Sequence, residues 1–112
     1  MILLSECEGT GTMNEGRKSI RLTFFSIYRM ELGVQTMEHT IRQDTITVEK
    51  LIVEADQMLD GRLIPLLEVD FEGIPNDVLI MINGTSIFYL EGFDTLLKDK
   101  DEVAFIPMVF GG

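Results

Sequence analysis

Apolar and polar residues begin to alternate at Ser19. In "SIRLTFFSIYRM", Ile20, Leu22 and Phe24 alternate with Arg21 and Thr23, and Phe25 and Ile27 then take the opposite phase. A period of two predicts a strand with one core face, and the change of phase predicts a second, partly apolar face. Gly33 marks a turn into "VQTMEHTIRQ", where Val34, Thr36, Glu38 and Thr40 oppose Met37 and Ile41. This weaker alternation reads as an exposed strand, and strand, short turn and strand predict a hairpin.

The period changes in "TVEKLIVEADQML". Val48, Leu51, Ile52, Ala55, Met58 and Leu59 fall on one stripe of a helix, with Glu49, Lys50, Glu54 and Asp56 on the solvent side. Thr47 is placed to cap the helix, and Asp60-Gly61 to stop it. The following stretch, residues 62–77, contains two prolines in "LIPLLEVDFEGIPND" and either extends the helix or forms an irregular excursion. "VLIMINGTSI" predicts strand, tight turn at Asn83-Gly84 and a second strand start. "FDTLLKDKDEV" reads as a short helical or turn segment closing at Asp99-Lys100-Asp101. In "EVAFI" both phases are apolar, which predicts a strand deep in a sheet, ended by Pro107. The predicted fold is therefore α+β: a mixed sheet with a central C-terminal strand and one main helix packed across it.

The full chain of 112 residues fits one domain. Residues 1–18, "MILLSECEGTGTMNEGRK", read as a poorly ordered extension, leaving a domain at 19–112 with a protruding tail at 107–112. A net charge of −10 argues against nucleic-acid or anionic-membrane partners and fits docking to a basic protein surface. No transmembrane or signal-peptide stretch is present, so a cytoplasmic location is expected.

Catalytic and metal chemistry find few candidates. The single cysteine, Cys7, excludes an internal disulfide and a multi-cysteine zinc site. His39 has no Cys or His partner at ligand spacing, so no metal is expected. Glu68, Asp70 and Glu72 alternate as a solvated face does, and no Ser-His-Asp or Cys-His arrangement can be assembled. Asn83-Gly84-Thr85 matches a glycosylation acceptor but is better explained as a hairpin turn.

The ending "DKDEVAFIPMVFGG" raises a different possibility. Two terminal glycines add nothing to a core, and without Cβ atoms they pass through a narrow channel and adopt whatever backbone a partner imposes. Six residues from Pro107 to Gly112 extend at most about 20 Å. The reactive group at that end is the Gly112 carboxylate, which condensation with the α-phosphate of ATP would turn into a good electrophile. No feature of this chain suits it to bind ATP, so activation belongs to a separate enzyme.

This ending resembles that of the small subunit of molybdopterin synthase, one of the ubiquitin-like β-grasp sulfur carriers of the MoaD/ThiS family. "IRLTFFSIYRMELG", "TVEKLI" and "MINGTSI" fall in the order of that family's elements, and the likeness covers roughly residues 19–112. The resemblance implies a sulfur carrier rather than an enzyme, with no bound cofactor. An adenylating partner related to ubiquitin-activating enzymes would activate Gly112, and a persulfide donor would convert the adenylate into a thiocarboxylate. The large molybdopterin synthase subunit would then receive the sulfur. By position, Gly112 bears the sulfur and Gly111, Phe110 and Val109 thread the partner's channel. Phe105 and Pro107 flank the docking surface, and Phe25 and Ile27 belong either to it or to the core. Two positions depart from the family pattern: Met108 follows Pro107 where a second proline is common, and Phe110 stands where a small residue usually precedes the glycines. Carriers for thiamine or transfer-RNA thiolation, and a ubiquitin-like modifier joined to lysines through Gly112, are alternatives that share the same activated carboxylate.

Overall fold

The computed structural model describes residues 18–73, 75 and 77–108. Strand β1 (Lys18–Phe24) buries Ile20, Leu22 and Phe24, as the alternation predicts. It starts at Lys18, the last residue of the expected extension; the rest of that extension lies outside the described residues. It also ends at Phe24 instead of continuing to Met30. Ser26 takes φ 57° and ψ −127°, which leaves the ladder, and Ile27–Leu32 forms a short helix, α1, closed by left-handed Gly33 at φ 77°. The change of phase is thus the onset of a helical repeat. Tyr28 and Leu32, one turn apart, are buried, while Phe25 and Ile27 remain exposed. Strand β2 (Thr36–Ile41) returns antiparallel to β1, so the hairpin pairing holds but its connection carries a helix.

Past β3 (Ile46–Thr47), Thr47 caps α2 (Val48–Met58) by accepting the Lys50 N–H at 3.1 Å. Val48, Leu51, Ile52, Ala55 and Leu59 are buried. Met58, expected on the same stripe, is exposed and places its sulfur 3.1 Å from His39 Nδ1. Gly61 ends the helix at φ 76° by donating to the Asp56 carbonyl at 2.8 Å. Residues 62–77 then divide into a separate helix, α3 (Leu63–Leu67), and an irregular segment. The Asp56 carboxylate, expected to face solvent, accepts the N–H groups of Leu63 and Ile64 at 2.9 and 2.8 Å and so starts α3.

Strand β4 (Val78–Ile82) turns at Asn83-Gly84 into β5 (Thr85–Ser86), with the positive φ values, 52° and 91°, of a two-residue hairpin. Tight turns at Ile87–Tyr89 and Gly92–Asp94 lead to β6 (Leu96–Leu97), which pairs with β3 in a small second sheet. Segments of two residues are too short for periodicity to announce. Strand β7 (Glu102–Pro107) completes the main sheet, whose order is β2-β1-β7-β4-β5.

The last strand is therefore central, parallel to β1 and antiparallel to β4. With α2 as the main helix against a mixed sheet, the architecture is the ubiquitin-like β-grasp, an α+β fold. The Phe24 and Phe105 rings stack at 5.3 Å and 17° in the core, fully buried.

Candidate functional site

Hydrogen bonds at the end of β7 fix the last described residues of the chain. Phe25 N–H donates to the Phe105 carbonyl at 3.1 Å, so Phe105 uses its backbone toward β1. Met108 N–H donates to the Asp77 carbonyl at 3.0 Å, on the β4 side. Alternation along β7 aims the Pro107 nitrogen at β1, where its missing donor ends pairing just as β1 itself ends. On the β4 side pairing continues past it, in the register Val78↔Pro107. The expectation that Pro107 ends all regular pairing is corrected to one side only: on the β4 side hydrogen bonding reaches Met108, the last described residue.

Two networks hold β7 in this position. At its exit, the Asp77 carbonyl that binds Met108 also accepts the Tyr28 hydroxyl at 3.3 Å. Burial, reinforced by the Asp77 and Glu68 carboxylates, raises the Tyr28 phenol above its ordinary range. At its start, buried Asp101 accepts the Lys98 N–H at 2.9 Å and the Asn83 side-chain amide at 3.0 Å. Asn83 in turn accepts the Glu102 N–H at 3.0 Å, tying the β4–β5 turn to the first residue of β7. Burial pushes the Asp101 carboxyl up, but these hydrogen bonds and the nearby Lys98 ammonium outweigh it, and its pKa is lowered.

The sheet face opposite the core changes character along β7. Far from the exit, Arg21 pairs with Glu38 at 3.4 Å and with Glu102 at 3.5 Å. Toward the exit stand half-buried Ala104, Ile106, Leu79 and Met81 and exposed Phe25 and Met108. Exposed Ile27 follows Phe25 at the start of α1. Beside Met108 a groove of about 290 Å³ is lined by Leu79, Ile87, Phe88 and Tyr89 among others. An acidic depression rimmed by Glu68, Asp70, Glu72 and Asp77 lies next to it and shares Pro75. The exit is thus an apolar surface beside carboxylates, a combination that suits a partner with an apolar patch and basic neighbours.

Of the residues named from the sequence, Phe25 and Ile27 are exposed at this end of the domain, and Pro107 is half-buried at the exit. Phe105 is corrected: its ring is fully buried against Phe24 and has no surface to offer a partner. It lies on the core phase of β7, and Ile106, one residue on, is the outward neighbour. Val109, Phe110, Gly111 and Gly112 lie outside the described residues. Sequence reasoning missed Met108, Phe88 and Tyr89, although three consecutive apolar residues, Phe88-Tyr89-Leu90, just past a tight turn were a legible signal. His39 sits against Glu54 at 2.5 Å, and no cluster of metal-ligating side chains occurs among the described residues. No helix among them is long and apolar enough to cross a membrane.

The domain, whose central last strand ends at an apolar face, shares the β-grasp fold of small carrier and modifier proteins. Within that class, the chain belongs to the ThiS family, whose model matches residues 22–112. It is 31% identical over 84 residues to a candidate sulfur carrier protein of Archaeoglobus fulgidus, covering 75% of this chain and 94% of that one. It is 31% identical over 93 residues to small archaeal modifier protein 3 of Haloferax volcanii, covering 83% and 98%. Among solved structures, a candidate subunit 1 of molybdopterin converting factor from Pyrococcus furiosus superposes with a TM-score of 0.62 at 28% identity, covering 82% of this chain and 99% of that one.

Proposed function

We propose that this chain carries sulfur on the carboxylate of Gly112 for molybdopterin synthesis. The observation that supports the reading is the placement of β7: a central, doubly pinned strand ends at an apolar face, and the sequence continues from it to "VFGG". In this reading an adenylating enzyme related to ubiquitin-activating enzymes docks on the face around Phe25, Ile27, Ile106 and Met108. It supplies ATP, the Gly112 carboxylate attacks the α-phosphate, and pyrophosphate leaves. The terminal sulfur of a persulfide donor then attacks the acyl carbon and expels AMP. A second thiol of the donor then attacks the donor sulfur of this acyl disulfide, forming a donor disulfide and releasing the thiocarboxylate. The large synthase subunit accepts the Gly-Gly end and takes the sulfur into the pterin. Similarity to the Pyrococcus furiosus protein supports the molybdopterin assignment.

A second reading rests on the similarity to small archaeal modifier protein 3: conjugation of Gly112 to lysines of other proteins. Both readings use the same adenylate and differ in the nucleophile, sulfur or amine. Intact-mass analysis of the protein from its native cells separates them. A species heavier by the difference between sulfur and oxygen, localised to Gly112, supports the carrier. Lysine-branched peptides ending in Gly111-Gly112, without any sulfur-bearing free form, replace it with the modifier.

A further inference from the structure

The groove beside Met108 is apolar in an acidic chain, and two of its walls are unusually open: Phe88 and Tyr89 are 62% and 77% exposed. Their rings meet edge to face at 5.1 Å and leave aromatic surface uncovered. Met108, the last described residue, itself lines this groove. The sequence continues with Val109 and Phe110, a bulky apolar residue directly before the two glycines.

We propose that Phe110 seats intramolecularly in this groove while the protein is free. The distance allows it, since two extended residues span at most about 7 Å. The alternation allows it too: in an extended continuation, Phe110 falls on the same side as Met108 and Val109 on the other. A phenylalanine ring against Leu79, Phe88 and Met108 buries apolar surface on both partners. Ordering a few residues opposes that gain, so docking is reversible and a partner can displace it. One consequence rests on the carrier reading. With Phe110 seated, Gly111 and Gly112 extend only about 7 Å beyond it, too short to enter a deep channel, so the activating enzyme must first draw Phe110 out. Docking itself is independent of that reading.

The experiment is solution NMR of the isotope-labelled full chain and its Phe110→Ala variant, whose change leaves every buried core residue in place. Docking predicts contacts between the Phe110 ring and the Leu79 methyls in the wild type. It also predicts that Phe110→Ala moves the Leu79, Met108, Phe88 and Tyr89 signals while Leu96, an exposed apolar residue outside the groove lining, stays in place. A Phe88→Ala variant should move the Phe110 ring signals in return. Unmoved groove signals, or Phe110 contacts to Phe25 instead, overturn the proposal. So does loss of the contacts on dilution, which assigns them to a second copy. These spectra need no activated Gly112, so failure here and failure of the thiocarboxylate mass test are separate results.

Discussion

Tyr28 and Met108 converge on one atom: the Asp77 carbonyl oxygen accepts the Tyr28 hydroxyl at 3.3 Å and the Met108 N–H at 3.0 Å. A buried side chain from α1 thereby helps to fix Met108, the last described residue. Replacing Tyr28 by Phe removes the hydroxyl and leaves the ring. Stability should fall by about 0.5–1.5 kcal/mol, the usual net worth of such a bond, and the Met108 amide should exchange faster with solvent. Because burial first and the Asp77 and Glu68 carboxylates second raise the folded phenol above its ordinary 10.0, its contribution is whole below that pH and is lost as pH rises through the folded value. Tyr28→Phe should therefore flatten the alkaline limb of a stability-against-pH curve. An unchanged limb would remove Tyr28 from the account.

Asp101 has the opposite sign. Its folded pKa lies below the ordinary 3.8 despite burial, because the Lys98 N–H, the Asn83 amide and the Lys98 ammonium favour the charged form. The stability it contributes is present above about the ordinary value and is lost as pH falls through the folded one. Asp101→Ala leaves the Asn83 amide and the Lys98 N–H without their acceptor. Urea denaturation at neutral pH should show a loss of about 1–3 kcal/mol. The gap between wild type and variant should narrow on acidification. A constant gap down to the acid transition would show that the ionised carboxylate is not what stabilises the turn.

Much of this architecture was legible from residue order. The Ile20-Leu22-Phe24 alternation, the Thr47 cap, the Val48-to-Leu59 stripe, the Asn83-Gly84 turn and a doubly apolar last strand each rest on local chemistry, and each stands in the fold. Failures occurred where tertiary contacts choose between local options. "SIYRMEL" satisfies a strand or a helix, and burial of Tyr28 and Leu32 against the core selects the helix. The Asp56 carboxylate looks like a surface charge until the chain doubles back and α3 begins on it. The site was half legible for the same reason. Exposure of Phe25 and Ile27 depends on where β1 stops, and burial of Phe105 on which of the two apolar phases of β7 faces the core; alternation alone marks neither.

That difference between Phe105 and Phe25 is measurable. Phe105 is fully buried and stacked on Phe24, so Phe105→Ala removes core packing worth about 3–5 kcal/mol, a large share of a small domain's stability. Phe25→Ala acts on a ring that is 44% exposed, so its stability cost should be well under half of that. On the proposed reading its effect is on the partner: adenylation by the activating enzyme should slow, chiefly through weaker binding. Denaturant titrations of both variants, with binding to the activating enzyme measured for Phe25→Ala, check the pair. Normal binding by a folded Phe25→Ala protein would move the docking surface away from this face.

Deleting Gly112 separates fold from function most sharply. Among the described residues, the domain is held by the stacked phenylalanines, the Asp101 and Asp77 networks and the buried stripe of α2. A residue without a side chain beyond Met108 adds no apolar burial to them. The deletion should leave the denaturation midpoint within experimental scatter and retain binding to the activating enzyme. It should also abolish formation of the thiocarboxylate or of any lysine conjugate, because the carboxylate then sits one residue, about 3.5 Å, short of the reacting phosphate. A pronounced fall in stability would mean that the chain end packs as part of the core. Full activity would mean that Gly111 serves equally well and that the reach of the tail is not the quantity under selection.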